Sequence, residues 1–214
     1  MLFRSLLITG ALIILVTLIK RHYKYTARLL QRLDSLVKVA ETPSGGLTSD
    51  RPERKTTPEF DPKARTAVLL VNGFSGLGLH TLLSVIRTFQ DSFKNFIFIQ
   101  IGVLDSGNFK GSSEIEHLKT YIETEVGRYV DYARRYGYYA EGFTRIGVDV
   151  VEEVAKLVPE IAERFPHPVF FGGQLVFPNE TVFNRVLHNY TVFAVQRRLY
   201  NQGIPIVIMP IRVY

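Results

Sequence analysis

From Thr66 onward the apolar positions alternate between two periods. "TAVLLV" (66–71) is a short β-rich run, and Leu79, Leu82, Leu83 and Ile86 then recur at helical spacing. "NFIFIQIGV" (95–103) predicts a second strand. A helix with the stripe Ile115, Leu118, Ile122, Val126, Tyr129 and Ala133 follows it, with Gly137 as its stop. Ser113 with Glu116 three residues on reads as a capping box for that helix, and Asp149 with Glu152 as one for the next. "AEGFTRIGV" (140–148) is a more polar third strand. The third helix carries Val151, Val154, Val158, Ile161 and Phe165, with a kink expected at Pro159. "HPVFFGGQLVF" (167–177) predicts strand four. A helix from about Asn179 to Gln202 closes at Gly203, and "IPIVIMPIRV" (204–213) predicts strand five.

Strands alternating with helices of this length imply parallel βαβ units. The expected fold is α/β, a five-stranded, mostly parallel, doubly wound sheet over residues 65–214. Glu141, Thr144 and Arg145 suit strand three to an edge. Pro205 and Pro210 suit strand five to the other edge, where it could also pair two copies of the chain.

The first 40 residues follow a different pattern. Ser5–Ile19 carries no charge, and with Met1–Phe3 it gives an apolar stretch near the lower limit for a membrane span, broken only by Arg4. Lys20, Arg21, Lys24, Arg28, Arg32 and Lys38 follow, with Asp34 the sole acid among them. No breaker separates Ile19 from Leu36, so one long helix is expected, leaving the bilayer as a basic stalk. The basic flank places the N-terminus outside and the rest in the cytoplasm, a single pass of the inner (plasma) membrane. Residues 41–64, with four prolines and Gly45-Gly46, read as a flexible linker.

Net charge is +6, but residues 64–214 hold 15 basic and 14 acidic groups, against 11 and 6 in residues 1–63. The excess therefore belongs to the membrane-proximal segment, and no nucleic-acid partner is expected. With no cysteine there are no disulfides or thiolate metal sites, and no other cluster has metal-ligand spacing.

Candidate chemistry centres on "VLLVNGFSGLGLHTLL" (68–83). A nucleophile elbow needs G-x-S-x-G, and Gly73-Phe74-Ser75-Gly76-Leu77 has leucine at the second glycine. Gly76-Leu77-Gly78 could offer amides to an anion, but Thr81 stands where a dinucleotide fingerprint has its third glycine. A tight strand–helix corner explains the same residues without catalysis or cofactor. If a ligand binds, it belongs at the switch point between strands one and four. Asn72, Gly73, Ser75 and Gly76 would form one wall and Gly173 and Gln174 the other, with Asp105 reaching in from strand two. A small polar or anionic effector is expected there.

Several of these stretches resemble a known family. "LLITGALIILVTLIKRHYKY", "AVLLVNGFSGLGLHTLLSVIRTF", "VLDSGNFKG" and "LHNYTVFAVQRRL" resemble the C-terminal end of bacterial permeases of the amino acid–polyamine–organocation superfamily. The resemblance implies a last span and a cytoplasmic tail domain, a non-catalytic regulatory or assembly unit whose partners are the bilayer and further transporter spans. The alternative is a membrane-tethered nucleotide sensor or enzyme using the 73–78 turn. The soluble part is also similar in layout to the universal stress proteins. Their V-D-x-S is here Val71-Asn72-Gly73-Phe74-Ser75, and the glycines of their phosphate motif have no counterpart after Gly173.

Overall fold

The computed structural model describes residues 2–41, 58–104, 111–177 and 190–212. Five parallel strands make one sheet: β1 (Arg65–Leu70), β2 (Phe93–Val103), β3 (Tyr139–Gly147), β4 (Pro168–Val176) and β5 (Ile206–Arg212). Their order is β3-β2-β1-β4-β5, with β3 and β5 at the edges. The helices are α1 (Leu2–Leu33), α2 (Ser35–Glu41), α3 (Gly76–Phe89), α4 (Ser112–Arg135), α5 (Val150–Arg164) and α6 (Tyr190–Tyr200).

Strand alternation divides the core in two. Ala67 and Leu69 of β1 and Phe96 and Phe98 of β2 face α3 and α4, where Leu79, Leu82, Val126 and Tyr129 meet them. Val68, Ile97 and Ile99 face the other way, toward Val154, Val158 and Ile161 of α5 and Val195 and Leu199 of α6. Because both faces are covered, the central strands are apolar at nearly every position rather than alternately polar. The chain enters at central β1 and builds outward to β3, then crosses to β4 on the opposite side of β1. The switch point therefore lies between β1 and β4.

Several local expectations need correction. The long N-terminal helix breaks at Asp34, and α2 folds onto the domain. Leu33 and Ala40 are buried, and Leu36 and Val37 pack against the same core as α3 and α4. The end of the expected linker is also structured. Phe60 packs against Tyr139 and Phe165, and Asp61 exchanges two hydrogen bonds with buried Asn95, of 3.2 and 2.8 Å. Residues 42–57 lie outside the described residues. Helix α4 starts at Ser112 behind Gly111, whose φ of +112° is open to glycine, and Ser113 does not cap it. Asp149 does cap α5, accepting from Val151 N at 2.7 Å and Glu152 N at 3.2 Å. Pro159 sits inside α5, which continues through it.

Among the described residues no helix is long and apolar enough to cross a membrane. In α1, Ile8, every residue from Leu12 to Val16, and Leu18 stand 45–63% exposed. Lys20, Arg21, Lys24 and Arg28 beyond them are exposed too.

Candidate functional site

The carboxyl ends of β1, β2 and β4 meet the first turns of α3, α5 and α6 around a cavity of about 340 Å³. Its wall is mostly apolar, from Ile99, Ile101, Val150, Val154, Val192 and Val195. Among the described residues its polar groups are Asn72, Ser75, Thr81 and Thr191, and none of its lining side chains is charged. Two glycines of β4 shape it. A Cβ on Gly172 would come within 2.5 Å of Val192 Cγ2, and one on Gly173 would run into Thr81 Oγ1 and reach Leu77 Cδ1 at 3.1 Å. Glycine at both positions lets α3 and α6 sit close to the sheet.

Asn72, Ser75 and Gly173 line this cavity together. Gly73 and Gly76 belong to the same turn but not to the lining. Gly73 supplies the corner, with a φ of +64°. Gln174 pairs in register with Pro210 of β5 and does not line the cavity either. Asp105 lies outside the described residues.

Four of the turn amides that could have cradled an anion are engaged within the chain. Phe74 N donates to Glu125 Oε2 at 2.6 Å, Ser75 N to the Tyr129 hydroxyl oxygen at 3.1 Å, and Gly76 N to Asp34 Oδ1 at 2.9 Å. Gly78 N donates to Ser75 Oγ at 3.4 Å, so the serine acts as the α3 N-cap. No histidine is hydrogen-bonded to Ser75 Oγ among the described residues, and none of them form a metal-binding cluster. His80, on α3, is held below the ordinary histidine pKa by burial and by Arg87.

Helix α4 secures the turn from below. The Tyr129 hydroxyl donates to Gly73 O at 3.0 Å while accepting from Ser75 N. Its ring lies between Phe74 and Phe98, at 4.7 and 5.2 Å between centroids. Burial pushes the Tyr129 hydroxyl up to about 12. A Cβ on Gly78 would strike that hydroxyl, which accounts for glycine there. Arg128 stacks over Phe74 at 4.2 Å and binds Glu125 at 2.9 Å.

Asp34, Glu125, Arg128 and Tyr129 thus control a turn in which the sequence pointed only to Asn72, the glycines and the serine. Two signals pointed to them. Asp34 is the sole acid in a run of bases, and Glu125 and Tyr129 are four apart on one helix.

No family model matches the chain, and no curated protein matches it. Among solved structures it is similar to a protein from the universal stress protein family of Burkholderia pseudomallei, at 14% identity and a TM-score of 0.45, over 68% of this chain and 96% of that one. It is also similar to a universal stress protein from Archaeoglobus fulgidus, at 11% identity and a TM-score of 0.43, over 67% and 92%. Likeness at this level carries no argument about a ligand, and nothing in these comparisons points to a permease.

Proposed function

We propose that this chain is a non-catalytic, membrane-attached regulatory domain that binds a small uncharged molecule, apolar in body with one hydrogen-bonding end. The observation that carries the reading is the cavity itself. It lies at the β1/β4 switch point, where open parallel sheets bind ligands. Its volume of about 340 Å³ is within the range of small-molecule sites. Among the described residues its lining has no charge to pair with an ion, and Asn72, Ser75, Thr81 and Thr191 supply the polar contacts. Engagement of the Phe74, Ser75, Gly76 and Gly78 amides within the chain moves the choice away from the anionic effector expected from sequence. The exposed apolar end of α1 supports the membrane part of the proposal, since the basic residues after it suit anionic headgroups. The resemblance to permease tails supplies a transporter as the partner served, with this domain cytoplasmic.

The test uses the full chain in detergent and the neutral fluorophore N-phenyl-1-naphthylamine. Saturable fluorescence enhancement is expected. Val192→Phe, which fills the cavity from α6, should weaken it at least tenfold while the circular dichroism spectrum is retained. Equal binding by the filled variant would end the cavity reading. Tight binding of a nucleotide but not of the neutral probe would do the same.

A further inference from the structure

The corner between α1 and α2 meets the head of α3 in a way that a passive tether does not require. Asp34 Oδ1 accepts from Gly76 N at 2.9 Å, placing a carboxylate where the α3 amides are unsatisfied by the helix itself. The backbone comes equally close, because a Cβ on Gly76 would overlap the carbonyl of Leu33. Glycine at 76 is therefore explained by the arm, whereas Gly73 is explained by its own φ. A second connection runs in parallel. Glu41, at the end of α2, is ion-paired with Arg128, Arg128 holds Glu125, and Glu125 accepts from Phe74 N. Arg135 Nη2 donates to Ala40 O at 3.0 Å, and Leu33 and Ala40 are buried. The same turn gives Asn72, Ser75, Leu77 and Gly78 to the cavity wall.

We infer that the α1–α2 corner is a latch: Asp34 serves as a built-in anion on the α3 amide, and docking of the arm fixes the 72–78 turn in the form that shapes the cavity. Arm position and cavity occupancy are then linked. A ligand that prefers the ordered turn favours the docked arm, and a docked arm raises affinity by the same factor. The coupling rests on the proposed binding role of the cavity, but the latch does not. In this arrangement a signal received in the cavity reaches the membrane-facing helix through a single turn of backbone.

Because the chain has no cysteine, Val39→Cys and Thr88→Cys place two spin labels uniquely, one on α2 and one on α3. Double electron–electron resonance on the full chain should give one narrow distance distribution. Asp34→Ala should add a longer, broad population of at least a third of the molecules, whereas Asp34→Asn, which keeps an acceptor oxygen, should stay mostly narrow. Gly76→Ala should release the arm by steric wedging without changing any charge. Narrow distributions in both Asp34→Ala and Gly76→Ala, with circular dichroism showing a folded domain, would overturn the latch. In Asp34→Ala the affinity for N-phenyl-1-naphthylamine should fall at least threefold. A released arm with unchanged affinity would overturn the coupling. If the parent chain fails to bind the probe, the cavity reading falls while the distance measurement still decides the latch.

Discussion

Tyr129 joins the sheet core to the cavity turn through one oxygen, which both accepts from Ser75 N and donates to Gly73 O. Tyr129→Phe keeps the ring packing and orphans those two backbone groups, so a loss of about 1–3 kcal/mol in urea unfolding is expected. The same burial makes a prediction for alkaline pH. Tyr129 and Tyr132 are both raised to about 12, above the unfolded value near 10. Each therefore contributes stability that is complete below about pH 10 and is lost as pH climbs toward 12. Urea midpoints measured from pH 9 to 11.5 should fall, and the double Tyr→Phe variant should show a shallower slope. Ser75→Ala removes an N-cap and should cost about 1 kcal/mol. A fluorophosphonate probe should not label Ser75, because its oxygen serves a cap and no histidine among the described residues is bonded to it. At this scale the sequence was only partly legible. The faulty elbow was visible in Leu77, but the claim of Asp34 on Gly76 was not, since it joins residues 42 apart and local spacing cannot report such a contact.

At the scale of elements, β strands and helices followed from period alone, because covered central strands and amphipathic helices differ in spacing. Ends were less legible. Asp149 caps α5 as its side chain predicts, and Asp149→Ala should cost about 0.5–2 kcal/mol in thermal or urea unfolding. Ser113 has the same local credentials but lies one residue inside α4, where Gly111 has already turned the chain. The break at Asp34 was invisible for a related reason. Nothing local stops the helix there, and tertiary contacts of Leu33 and Ala40 with the core reward the bend. Gly173 ties element spacing to the site. Gly173→Ala should press on Thr81 and Leu77, push α3 away from β4 and destabilise the fold by about 1–3 kcal/mol, measured by urea unfolding.

For the whole molecule, α1 is 32 residues, about 48 Å long if straight, and among its described side chains only Leu33, in the last turn, is buried. The remainder offers an apolar length followed by bases. In cells the chain is expected in the membrane fraction, and removal of residues 1–20 should release it. Recovery of the intact chain in the soluble fraction would reject the attachment. The strand order also has a consequence during synthesis. β1 pairs with β2 soon after it is made, but its other neighbour begins at Pro168, opposite Thr66. At about 5–20 residues per second, the β4-facing edge of this apolar strand stays open for roughly 5–20 seconds of translation. The ribosome therefore presents a nascent half-sheet with the buried, apolar β1 at the rim. Chains stalled or truncated after Gly147 should aggregate, and refolding yield should decline as protein concentration rises, because a second nascent copy can occupy the place reserved for β4.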